Sequence, residues 1–182
     1  MGRANLPGLP LAGAPARRFV VVFVITAAAL LGAYYFPHGP GAGGSSWLDA
    51  YLRAYARVVG ACLHLADRAV TVNGAEIAGR YTLRIVSTCD AMDVTILFVS
   101  AVVAWPSPWR RRAAAAAIGV AALFALNVLR ICSLYYVGIH FPSSFDTIHL
   151  QVWPLAVLVA AVAAFFWSSR WMSSAEARPA SR

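Results

Sequence analysis

The chain has 182 residues, 60% hydrophobic and only 12% charged, with a mean hydropathy of +0.67. That length suits one domain, and that composition belongs in a bilayer rather than among soluble globular proteins. The net charge of +8 comes from arginine without lysine, and nine of the fifteen arginines fall at Arg3, Arg17 and Arg18, at Arg110 to Arg112, and at Arg170, Arg178 and Arg182. This is the positive-inside pattern of a membrane protein, and without a basic face interleaved with aromatic platforms it argues against nucleic-acid binding.

Taken in chain order, Phe19 to Phe36 is an uncharged apolar run of eighteen residues, about enough to cross a hydrocarbon core of roughly 30 Å. Its length exceeds a signal-peptide h-region, and Tyr34, Tyr35 and Phe36 make a poor cleavage site, so it is expected to remain as span one. The Gly-, Pro- and Ser-rich stretch from His38 to Ser46 reads as a linker. From Trp47 to Asp67 apolar residues recur at helical spacing (Leu48, Tyr51, Leu52, Tyr55, Val58, Val59, Cys62, Leu63) with Arg53 and Arg57 between them, which predicts an amphipathic helix along the membrane surface. Val70 to Val72, the turn dipeptide Asn73-Gly74 and the alternation of Tyr81, Leu83 and Ile85 predict a small β-hairpin leading into Cys89.

Span two is expected from Ile85 or Cys89 to Trp105, span three from Ala113 to about Val137, and span four from Leu150 to about Trp167. Pro106 and Pro108 break the chain between two and three. Placing the arginine clusters in the cytoplasm lets the four spans alternate, with residues 37–88 and 138–148 facing outward. The predicted fold is an all-α polytopic membrane protein with an outer amphipathic helix and a small extracytoplasmic β-hairpin. It forms a single membrane domain over residues 1–182: a cytoplasmic tail over 1–18, span one over 19–36, outer helix and strand pair over 47–88, a three-span catalytic core over 85–170 and a cytoplasmic tail over 171–182.

Three residue types with protease-like chemistry then fall near one membrane face. Cys89 heads span two among Ser87, Thr88, Asp90 and Asp93, polar company for a packing residue. A free thiol near pKa 8.5 is mostly protonated at neutral pH, so a nucleophilic role needs a cation or base nearby. Arg130 lies eighteen residues into span three, near the outer boundary of the hydrocarbon, with Asn127 one helical turn earlier. Its guanidinium could support a thiolate and a tetrahedral oxyanion, or it could snorkel to the outer headgroups. His149 precedes span four and could act as acid and base, with Asp146 or Asp93 as alternative orienters. Cys62, Cys89 and Cys132 form no Cys-x-x-Cys pair, and His38, His64 and His140 lack ligand-like spacing. No metal and no cofactor is expected.

The elements Ser87-Thr88-Cys89-Asp90-Ala91 and Asn127-Val128-Leu129-Arg130-Ile131, followed by His149, make the stretch from about 47 to 170 resemble the exosortase/archaeosortase family of membrane cysteine transpeptidases, and its brevity looks like the compact exosortase H type. The resemblance implies a Cys89-Arg130-His149 site facing outward from the cytoplasmic (inner) membrane. Its partners would be exported proteins carrying a C-terminal motif, a transmembrane helix and a basic tail, with membrane lipids around it and a surface-glycan or lipid acceptor for transfer. The family commonly places a small residue and then glycine after the cysteine, where this chain has Asp90 and Ala91. Two other readings stay open: a non-enzymatic membrane scaffold or assembly subunit for secretion or surface attachment, and a structural disulfide between Cys62 and Cys89.

Overall fold

The structure is a computed structural model that describes residues 14–36 and 46–173. The linker expected from His38, apart from Ser46, and the outer parts of both tails (1–13 and 174–182) lie outside the described residues. The elements are α1 (Ala14–Tyr35), α2 (Ser46–His64), β1 (Thr71–Asn73), β2 (Glu76–Ala78), β3 (Leu83–Arg84), α3 (Met92–Ala104), α4 (Trp109–His140), the single turn α5 (Phe145–Thr147) and α6 (Trp153–Ser173).

Three apolar stretches are long enough to cross a membrane: Ala16–Tyr35, Trp109–His140 and Pro142–Ser173. The fourth expected span is shorter than predicted, because α3 has 13 residues, about 20 Å at 1.5 Å per residue. Part of the sequence assigned to it is used differently: Leu83 and Arg84 form β3, and Ser87–Cys89 form a 3₁₀ turn. Expected span three gains a turn at its start, beginning at Trp109, and runs on to His140. Expected span four becomes a helix from Trp153 to Ser173, preceded by a π-helical turn at Ile148–Val152.

α3 sits at the centre of the bundle, against α1, α4 and α6. It runs antiparallel to α1, and the pair is tied at both ends. At one end Phe19 meets Trp105 edge-on at 6.1 Å, and Trp105 meets Phe165 of α6 at 5.7 Å. At the other the Tyr34 hydroxyl donates to Asp90 at 2.8 Å. Phe98, Val102, Ala115, Leu123, Ala161 and Met172 form the core between α3, α4 and α6. Gly119 is required there, since a Cβ would collide with the Phe98 ring. The outer faces remain apolar, as Leu155, Leu158, Val159, Val162 and Phe166 on α6 illustrate, which is what a lipid-facing surface demands.

A second core lies at the other end of α4. Leu52, Tyr55, Ala56, Val59 and Leu63 of α2 pack with Val70, Ile77 and Ile85 against Val128, Ile131 and Tyr135 of α4. Each large side chain buried this way contributes roughly 1.5–3 kcal/mol relative to exposure. Leu52, Tyr55, Val59 and Leu63 of the predicted α2 stripe thus face the protein's own core, not a membrane surface as periodicity alone suggested, whereas Val58 and Cys62 are exposed. The long α4 supplies the wall for it. Asp67, 7% exposed, clamps this region. It accepts from the Tyr135 hydroxyl at 3.1 Å and the Ala69 N–H at 3.1 Å, and pairs with Arg80 at 3.4 Å.

The expected hairpin is a three-stranded antiparallel meander of order β1-β2-β3. Asn73-Gly74 does close β1 onto β2, with Gly74 at φ 64. The strand expected after Tyr81 pairs with β2 through Glu76↔Arg84 and Ile77↔Leu83, not with β1. The intervening strand is only three residues long, too short to show an alternation in sequence, yet its Ile77 is wholly buried.

Candidate active site

Cys89 closes the 3₁₀ turn between β3 and α3, where its N–H bonds the Val86 carbonyl at 2.9 Å. The next residue but one, Ala91, takes a left-handed conformation at φ 55, so the chain turns sharply before α3 begins. Asp90 is drawn away from the thiol. Its Oδ1 accepts the Met92 N–H at 2.9 Å and its Oδ2 the Tyr34 hydroxyl at 2.8 Å. Burial, with Asp93 adding to it, pushes the Asp90 carboxyl above its ordinary value despite the Met92 and Tyr34 hydrogen bonds that oppose the shift.

His149 is carried by the π-helical turn that precedes α6. Pro154 has no N–H to give the Leu150 carbonyl, and its ring crowds that carbonyl, which accounts for a widened turn here. The ring of His149 lies against Phe145, centroids 5.5 Å apart. Its Nε2 stands 3.5 Å from the Cys89 Sγ, within hydrogen-bond range for sulfur. With the ring proton on Nδ1, Nε2 is free to accept the thiol proton.

Arg130 comes from α4, is 6% exposed and sends Nη2 to the His149 carbonyl at 3.4 Å. Its Nε is enclosed without a hydrogen-bond partner among the described residues, so the guanidinium keeps donor capacity beside His149. Asn127, fully buried one turn earlier, donates through Nδ2 to the Cys89 carbonyl and to the Tyr55 hydroxyl, each at 2.9 Å. Burial pushes the Tyr55 phenol up to about 12, so it stays a neutral hydroxyl.

Four of the six residues singled out from the sequence therefore meet at one point: Cys89, Asn127, Arg130 and His149. Asp93 and Asp146 do not bond the His149 ring among the described residues, and Asp93 instead accepts from Tyr35 at 2.7 Å. Tyr34 and Tyr55 drew no site role from the sequence, because tyrosines at span ends and on apolar helix faces are ordinary there. All three cysteines are free thiols.

The profile of the transmembrane exosortase family (Exosortase_EpsH) matches residues 27–167. The chain belongs to this family. No curated protein and no solved structure gives a significant match. The part shared with other transmembrane exosortases starts within α1, ahead of Tyr34, and ends within α6. It takes in the Tyr34–Asp90 tie between α1 and α3 and every residue that meets around Cys89, and this exosortase is a multi-pass membrane protein.

Proposed function

We propose that this protein is a compact exosortase acting as a membrane cysteine peptidase and transpeptidase on C-terminal sorting signals of exported proteins. The observation that carries the reading is the 3.5 Å approach of the Cys89 sulfur to His149 Nε2 beside a buried arginine that no carboxylate neutralises among the described residues. His149 removes the thiol proton, and the sulfur attacks the scissile carbonyl. Arg130 stabilises the resulting oxyanion. Collapse of that intermediate breaks the C–N bond, His149 returns the proton to the leaving amine, and a thioester remains on Cys89. An incoming amine or water gives its proton to His149 and releases the thiol.

The topology supports an outward-facing site. Arg17, Arg18, Arg110 to Arg112 and Arg170 lie at the end of the bundle opposite Cys89, and arginine-rich ends stay in the cytoplasm. α3 counts as a fourth crossing in this reading, because it is tied to α1 at both ends. The substrate's own transmembrane helix would bring its cleavage motif to the level of Cys89, and its basic tail would obey the same charge rule.

The test is processing of a co-expressed exported protein that bears such a motif, helix and arginine tail. Cys89→Ala, Arg130→Ala and His149→Ala are each expected to leave the precursor uncleaved while remaining membrane-inserted. Continued cleavage by Cys89→Ala overturns the reading and favours a non-enzymatic scaffold.

A further inference from the structure

At the far end of α3 from Cys89, a cavity of about 730 Å³ opens between α1, the C-terminus of α3 and the start of α4. That is within the range of small-ligand pockets, roughly 300–1,000 Å³. Its lining is mixed. Phe19, Val22 and Trp105 make an apolar wall, whereas Arg18, Ser107 and Arg112 supply polar groups. Arg112 is held in place by its Nη1 bond to the Val103 carbonyl at 2.9 Å. Two polar atoms of the lining residues, Arg112 Nε and Ser107 Oγ, are enclosed without a hydrogen-bond partner among the described residues. Both are donors.

Among the described residues the charge around this cavity has no acidic counterpart. The described carboxylates, Asp49, Asp67, Glu76, Asp90, Asp93 and Asp146, belong to α2, the sheet and the segments flanking Cys89 and His149. The one ion pair among the described residues joins Arg80 to Asp67, in the sheet region. α4 also begins here, with Pro108 before it, no side-chain cap and no acidic residue in its first turn. Its unsatisfied N–H groups and the positive end of its dipole add to the two guanidiniums.

We infer that this cavity binds the phosphate of an anionic phospholipid, with Arg18 and Arg112 on the phosphate and an acyl chain along Phe19 and Val22. Guanidinium groups hold phosphate through short, charge-assisted hydrogen bonds, and Arg18 and Arg112 both line the cavity. The apolar wall selects a lipid over free phosphate, because inorganic phosphate leaves that wall without a partner. Trp105 and Trp109 flank the site, as residues at the headgroup level do. The inference does not depend on the chemistry at Cys89.

The experiment is native mass spectrometry of the full chain released from nanodiscs containing equal amounts of phosphatidylglycerol and phosphatidylcholine. The wild type is expected to retain phosphatidylglycerol selectively. Arg112→Gln and Arg18→Gln are each expected to reduce that retention by about tenfold, the scale of one lost hydrogen bond to a charged group. Arg110→Gln is the control, since Arg110 lies over the Trp109 ring at 5.9 Å and does not line the cavity. Arg18 is exposed, so a loss in Arg18→Gln is not a folding defect, and undiminished retention in that variant overturns the site. An equal loss in Arg110→Gln assigns the effect to general surface charge and also overturns it. Displacement of the lipid by equimolar inorganic phosphate overturns the lipid assignment.

Discussion

The side-chain amide of Asn127 donates to the backbone carbonyl of Cys89 at 2.9 Å. The same nitrogen donates to the Tyr55 hydroxyl at 2.9 Å, so α4, the thiol-bearing turn and α2 are joined at one buried point. Asn127→Leu is expected to leave that carbonyl and hydroxyl unpaired, at a cost of about 1–3 kcal/mol. It should lower the thermal midpoint in detergent and impair substrate processing together. Tyr55→Phe, which removes one acceptor and keeps the ring, is expected to give a smaller loss in both. Equal melting of Asn127→Leu and wild type would show that the bond contributes nothing.

Arg130 reaches the His149 carbonyl with one nitrogen and keeps Nε beside the site. A lysine carries the same charge but only a single point donor on a flexible stem. Arg130→Lys is therefore expected to insert and fold yet lose about 10²-fold or more in processing rate, on the scale of a lost oxyanion donor. Near-wild-type turnover by the lysine variant would mean that charge alone suffices.

Ala91 occupies the left-handed region at φ 55, which costs a residue with a Cβ roughly 1–2 kcal/mol relative to its preferred conformations. Glycine enters that region freely but loses more chain entropy on folding. Ala91→Gly is expected to raise stability by up to about 1 kcal/mol, and Ala91→Val to lower it by more than that, because β-branched residues are the least tolerant of positive φ. Detergent melts of the two variants should bracket the wild type.

Asp90 is buried and its carboxyl is pushed above the ordinary value. A raised folded value means that its contribution to stability is fully present below the unfolded value of about pH 4 and declines as the pH rises through the folded value. Asp90→Asn keeps an acceptor for the Met92 N–H but cannot ionise. Its melting temperature is expected to fall less than that of the wild type between about pH 4 and pH 7. Identical pH profiles would mean that Asp90 does not titrate in that window.

Much of the bundle was legible in the chain, and the exceptions are instructive. α1 and α4 announce themselves as long, predominantly apolar stretches, because a bilayer demands length and hydrophobicity from each segment separately. The stripe Leu52, Tyr55, Val59 and Leu63 marked α2 equally well, but periodicity states that a face is buried without naming what covers it. β2 escaped notice because three residues hold no readable pattern, and its pairing with both neighbours is a tertiary fact. The true start of α3 was hidden by the Ser87–Cys89 turn and by Ala91, whose conformation its residue type disfavours.

Residue type and order alone thus determined a multi-pass membrane helical chain, the polarity of its charge and the identity of Cys89, Asn127, Arg130 and His149 as residues worth attention. Composition acts locally, segment by segment, so a single sequence suffices for it. The tertiary structure alone decided that the Cys89 sulfur faces His149 across sixty residues of chain, that Asp90 turns to Tyr34, and that Asp93 bonds Tyr35 instead of the imidazole. Those outcomes depend on distances of a few ångströms between separate helices. Helix packing and the widened turn before Pro154 set such distances, and no spacing within one segment encodes them.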